Sequence, residues 1–150
     1  MKTLIVGIIL IFNISNTIKA QTLDLENVKS ELKEAALKEQ NAFKKGDCDQ
    51  VLSLMENDIT FLANGRKVPS KQIVGKFCNS IPRPFKTALI DKLDIYPLTN
   101  ESGYTIRTLE YPNDEETKMQ EYVTKIWRKA NGKWKISHLH STVKKVPITN

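Results

Sequence analysis

From Leu25 onward, apolar residues return at helical spacing: Leu25, Val28, Leu32, Ala35, Ala36 and Phe43, with Lys and Glu filling the other faces. That period predicts a long amphipathic helix over residues 24–45, ended by Gly46. Asp47 then precedes C-D-Q-V-L-S-L-M with Gln50 three residues on, an N-cap spacing that predicts a second, short helix through Met55. Asp47 is read as a cap and not as a catalyst. Asp58-Ile-Thr-Phe-Leu has the character of a short strand, closed by a tight turn at Asn64-Gly65. Pro69 suits the first turn of a third helix in which Ile73, Val74 and Phe77 share one side, and Ile81-Pro-Arg-Pro breaks the chain after it.

Beyond that break the pattern changes to alternation. Residues 86–96, 103–111, 118–129 and 133–145 read as strands, separated by L-T-N-E-S-G, P-N-D-E-E and the hairpin dipeptide Asn131-Gly132. Helices followed by long antiparallel strands make an α+β plan, in which the sheet has to curl around the helices to bury its apolar face. A conical, curved antiparallel sheet with helices across one opening leaves a pocket for a small molecule.

The first twenty residues follow neither pattern. Lys2 precedes an apolar run from Leu4 to Ile14, and a short polar stretch leads to Ala20, the layout of a signal peptide with Gln21 first in the mature chain. The apolar run is shorter than the roughly 20 residues of a membrane span. The expectation is therefore residues 1–20 as signal peptide and 21–150 as one domain, periplasmic or secreted, with no membrane anchor after cleavage.

Composition adds limits. The chain has 150 residues, 40% hydrophobic and 27% charged, as one globular domain requires. Of its 23 basic residues Lys2 and Lys19 leave with the leader, so the mature net charge is +4 against 17 acids. Lys and Glu interleave in K-S-E-L-K-E-A-A-L-K-E-Q, which is a solvated surface, and no nucleic-acid partner is expected. Cys48 and Cys78 are the only cysteines. In an exported protein they can form a disulfide closing a loop of about thirty residues; two separately buried thiols fit the sequence equally well. C-x-x-C and zinc-ligand spacings are both missing.

The segment V-T-K-I-W-R-K-A-N-G-K-W-K-I-S-H-L-H-S, ending at Ser141, resembles the C-terminal signature of SnoaL-like proteins in the nuclear transport factor 2-like superfamily. Within that superfamily it is most similar to the calcium/calmodulin-dependent kinase II association domain, whose pattern runs T-R-V-W, a turn, G-K-W and H-x-H. Gly46-Asp47, Gly75-Lys76 and the I-R-x-T before Leu109 also fall in family order. The resemblance implies an α+β cone of cystatin-like type, commonly dimeric, whose cavity serves catalysis in some relatives and only binding or assembly in others. It also implies that Arg107 lines the cavity, with Lys125 in the place of the arginine of T-R-V-W. Ser141 stands where that family can carry a further arginine.

Strand alternation puts Trp134, Ile136, His138 and His140 on one face of the last strand and Lys135, Ser137, Leu139 and Ser141 on the other, unless a bulge intervenes. With two histidines in the whole chain a metal site lacks further His ligands, and neither metal nor cofactor is expected. Trp127 and Trp134 are read as core. Arg107 interrupts an apolar strand, so it needs an acidic partner or a ligand. Two readings stand level: Arg107 and Lys125 holding a small organic anion, or an internal ion pair. Tyr104 and Tyr122 could project hydroxyls into the cavity. Asp58, Asp94 and His138 are the candidate bases for a lyase, isomerase or hydrolase, whose catalytic residues the sequence does not single out. The leading expectation is an exported, homodimeric domain binding a small molecule through Arg107, Lys125, Tyr104, Tyr122 and His138. An enzyme in the same pocket and a pure assembly domain are the rivals.

Overall fold

The computed structural model describes residues 24–68 and 71–148. The leader, Gln21 and Pro69 lie outside the described residues.

Helix α1 spans Leu25–Lys45 and α2 spans Cys48–Ser53; strands β1 (Met55–Ala63) and β2 (Arg66–Val68) follow. Then come α3 (Lys71–Ser80) and the long strands β3 (Ile90–Thr99), β4 (Ser102–Pro112), β5 (Thr117–Ala130) and β6 (Lys133–Pro147). Local chemistry sets the boundaries. Asp24 accepts a hydrogen bond from the amide of Asn27, and Asp47 accepts one from Gln50, each satisfying an orphan donor of a first turn. Gly46 ends α1 at φ 81°, where its amide donates to the Ala42 and Phe43 carbonyls. The second helix stops at Ser53, before the expected Met55, because Met55 already pairs with Ile136.

The strands form one sheet in the order β2-β1-β6-β5-β4-β3, with β2 and β3 at its edges among the described residues. It is a curved, unclosed, mixed sheet in an α+β fold. All ladders are antiparallel except β1 beside β6, which is parallel. This departs from an all-antiparallel plan because β1 lies between α2 and α3 in the chain. It reaches the sheet from the helical layer and runs alongside the strand it meets.

The core lies between the helices and one half of the concave face. Trp127, Ile136, Leu32, Val51 and Cys78 are fully buried there, with Val28, Ala36, Val74 and Trp134 beside them. The structure joins Cys48 at the start of α2 to Cys78 in α3. Gly103 of β4 lies close against α1: a Cβ there would stand 2.6 Å from Leu32 Cδ2 and 2.9 Å from the Tyr96 carbonyl oxygen. Only glycine allows that approach.

The same contact buries a charge pair. Lys125 of β5 donates to Glu39 of α1, with side-chain exposures of 11% and 6%. Removing one member leaves the other charge buried without its counterion, at a cost of about 3–5 kcal/mol. Glu39→Ala is therefore expected to lower unfolding stability by that order in urea titrations. The double variant Glu39→Leu/Lys125→Leu should recover most of the loss; equal destabilisation of both would show that the pair is not what makes the site sensitive.

Candidate functional site

Register and burial together assign each strand residue to a face. Asp91, Leu93 and Ile95 of β3 lie across from Leu109, Arg107 and Thr105 of β4, and these from Glu121, Val123 and Lys125 of β5. Lys125, Val123 and Glu121 in turn face Leu139, Ser141 and Val143 of β6. This is the concave face, because Thr105, Lys125 and Leu139 are buried and Leu93, Ile95 and Val123 pack on the core.

A bulge determines what the last strand adds to it. Ile126 is opposite His138 while Trp127 is opposite Ile136, so Ser137 is an extra residue and the alternation of β6 reverses there. Trp134 and Ile136 point inward before it and Leu139 points inward after it. His138 and His140 therefore do not share a face with Trp134 and Ile136; they lie on the outer face. His138 Nδ1 and Thr60 Oγ1 share a hydrogen bond of 2.6 Å, and His140 Nε2 lies 3.4 Å from Thr142 Oγ1.

The five residues singled out by sequence thus fall on two faces. Tyr104 is outward, opposite Ile126, and stacks on Tyr96 with ring centroids 4.6 Å apart. Tyr122 is outward and 42% exposed. Tyr104, Tyr122 and His138 do not meet Arg107 and Lys125 in one pocket. Among the candidate bases, Asp94 pairs with Lys92 at 3.0 Å and Asp58 is exposed on β1. Among the described residues no three His, Cys, Asp or Glu side chains converge as a metal ion would require.

Arg107 and Lys125 share the concave face but differ in surroundings. Lys125 is beneath α1, held by Glu39. Arg107 lies further along, its side chain 22% exposed, and it donates from Nε and Nη2 to the two carboxylate oxygens of Asp91, both at 2.8 Å. This bidentate bond, helped by the charges of Arg107 and Lys44, holds the Asp91 carboxyl below its usual range against the opposing effect of burial. Nη1 makes no hydrogen bond among the described residues.

Around Arg107 the concave face is only half-buried: Leu109, Tyr111, Met119, Glu121 and Ser141 all retain some exposure. Ser141 donates to Glu121 at 2.8 Å. Burial, and after it the charge of Glu121, pushes the Tyr111 hydroxyl above its ordinary pKa. The segment 81–89 borders this open end. Arg83 donates to the carbonyls of Phe43, Cys78 and Ile81 while its guanidinium lies over the rings of Phe43 and Phe85. Lys86 donates to the Pro112 and Asn113 carbonyls at the tip of β4.

Sequence reasoning missed Glu39, Asp91, Tyr111 and Glu121. Glu39 left a readable signal, since it lies three residues after Ala36 on the buried stripe of α1. An acid on an apolar stripe is the natural partner of a cation interrupting an apolar strand. Asp91 and Glu121 had no comparable signal, because their neighbours across the sheet follow from register alone.

No protein family and no curated protein matches the chain by sequence. Solved structures do match it in shape. An NTF2-like protein of unknown function from Pseudomonas putida superposes with a TM-score of 0.65 at 14% identity, covering 78% of this chain and 87% of its own. A ketosteroid isomerase-like protein from Erwinia carotovora gives 0.56 at 15% identity, over 81% of this chain and 97% of its own. A putative calcium/calmodulin-dependent protein kinase II association domain from Xanthomonas campestris gives 0.57 at 17%, over 76% and 86%. At these identities the likeness establishes the fold: the chain has the NTF2-like, cystatin-like architecture that the C-terminal segment implied.

The Asp91–Arg107 pair carries a pH dependence. With the Asp91 pKa depressed on folding, its stabilisation is present above the ordinary value of 3.8 and disappears as pH falls through the lower folded value. Asp91→Asn should thus be less stable than the wild type at pH 7, and the gap in urea midpoint should close on acidification below about 3.8. A gap that stays constant with pH would contradict the assignment.

Proposed function

We propose that this chain is an exported, homodimeric small-molecule-binding protein whose ligand, a small organic carboxylate, docks at the open end of the concave face against Arg107. The single observation that carries the reading is the state of the Arg107 guanidinium. Asp91 fixes its plane through two donors, and Nη1 remains available on a half-buried, concave surface. A preorganised donor of this kind binds a carboxylate without first ordering a long side chain. Lys125, spent on Glu39, stays out of the contact and stiffens the floor beneath it. Export is supported by the Lys2-led apolar leader and by the Cys48–Cys78 disulfide, a bond that persists in oxidising compartments.

Binding is favoured over catalysis because Tyr104, Tyr122 and His138, the proton-transfer groups that the sequence singles out, lie on the outer face. That face supports the homodimer. Tyr96, Tyr104, Ile126, His138 and Thr60 are in register in one row across five strands. Tyr96, Ile126 and Tyr122 on this face each expose about two-fifths of their surface. Exposed aromatic and aliphatic side chains grouped on one sheet face suit a self-complementary contact about a two-fold axis. The name of the Xanthomonas campestris neighbour, an association domain, points the same way.

Two experiments test the two halves of the proposal. In a thermal-shift panel of small carboxylates, binders should raise the melting temperature of the wild type and leave Arg107→Gln unchanged, with circular dichroism confirming that the variant is folded. Equal shifts in both proteins would remove Arg107 from recognition. In sedimentation velocity the wild type should run as a dimer and the double variant Tyr122→Lys/Ile126→Lys as a folded monomer. A monomeric wild type would end the dimer reading.

A further inference from the structure

The open end of the concave face is not simply basic. The charge of Arg107 is already answered by Asp91, and Lys125 is answered by Glu39. Glu121 is different: its described hydrogen bond comes from the neutral hydroxyl of Ser141, and no Lys, Arg or His among the described residues pairs with it. A partly buried carboxylate with only a hydroxyl for company favours a positively charged neighbour, since desolvation raises the cost of its charge and a cation offsets it. Tyr111 beside it feels that uncompensated charge, on top of its own burial.

Position adds the second half. Leu109 is opposite Glu121, and Arg107, two residues before Leu109 on the same face, is opposite Val123. Arg107 and Glu121 are thus diagonal neighbours on adjacent strands, with α-carbons about 7–8 Å apart in such a ladder. Long side chains at that spacing can contact the two ends of one small molecule. Arg107 offers the free Nη1 donor, and Glu121 offers a carboxylate oxygen not engaged by Ser141.

Resting on the carboxylate-binding reading above, we propose that the ligand is a zwitterion of the amino-acid class, its carboxylate on Arg107 and its ammonium on Glu121. The apolar residues around the pair, Leu109, Val123 and Met119, would meet its side chain. Asp91 then has a further role: by sharing Arg107 it limits the attraction for plain anions, and the ammonium contact supplies the discrimination.

The test is isothermal titration calorimetry of the purified protein at pH 7 with matched pairs: L-alanine against propionate, L-leucine against 4-methylpentanoate and L-phenylalanine against 3-phenylpropionate. A charge-assisted contact to Glu121 predicts that the amino acid of at least one pair binds about tenfold or more tightly than its deaminated partner. Glu121→Gln, which keeps an acceptor for Ser141, should abolish that preference and leave the carboxylate affinity in place. Carboxylates that bind as well as or better than their amino acids, or a preference unaffected by Glu121→Gln, would overturn the zwitterion while leaving the carboxylate site standing. No binding by any member would count against both. If Glu121→Gln does not fold, the matched pairs on the wild type decide alone.

Discussion

The buried pair between Lys125 and Glu39 is the constraint around which the rest is arranged. Two charges at the seam between α1 and the sheet are tolerated only because they face each other, and that requirement ties the rotation of the helix to the register that β5 takes between β4 and β6. Close by, Leu32 sits against Gly103, and Trp127 donates its indole N–H to Thr105 at 3.1 Å. Along the same helix Glu31 accepts hydrogen bonds from Lys129 at 2.5 Å and from Trp134 at 3.0 Å. The helix is therefore pinned by polar contacts at two levels, Glu31 and Glu39, with apolar packing at Leu32 and Ala36. Such contacts allow one placement where an apolar stripe alone would allow sliding.

The chain turns sharply where α1 ends. Gly46 turns the chain at a positive φ, and a side chain there would press within 3.3 Å of Arg83 Nε. Arg83 gathers carbonyls of α1, α3 and the following segment, those of Phe43, Cys78 and Ile81, so the segment 81–89 is tied down at the margin of the open concave face. The disulfide acts on the same corner, since Cys78 is one of the residues whose carbonyl Arg83 holds. Together they fix the corner where α1, α2, α3 and the segment 81–89 meet.

Much of this was legible from residue patterns. The helical period of α1, the caps at Asp47 and Gly46, and the hairpin turn at Asn131-Gly132 each reflect a local rule that the tertiary structure does not override. The two-sidedness of the site was not legible. It depends on Ser137, a single bulged residue that reverses β6 and sends both histidines outward. A bulge leaves no reliable trace in hydrophobic alternation: Ile136, Leu139 and the histidines between and after them fit either phase. The partners of Arg107 and Lys125 were hidden for a related reason. A cation in an apolar strand announces that it needs an acid, but which acid is set by strand register and helix rotation.

The bulge also separates two kinds of surface that a regular strand would have mixed. Had β6 continued its alternation past Ile136, His138 and His140 would face Lys125 and Val123, crowding the concave end with imidazoles. Leu139 would then lose its buried place and add a large side chain to the outer row. Instead the concave end keeps small and aliphatic β6 residues, Ser141 and Val143, beside Glu121. The outer face keeps side chains that pack flat and hydrogen-bond along the sheet, as His138 does with Thr60. One inserted residue thus gives the sheet a face with room for a small molecule and a face suited to contact with another sheet.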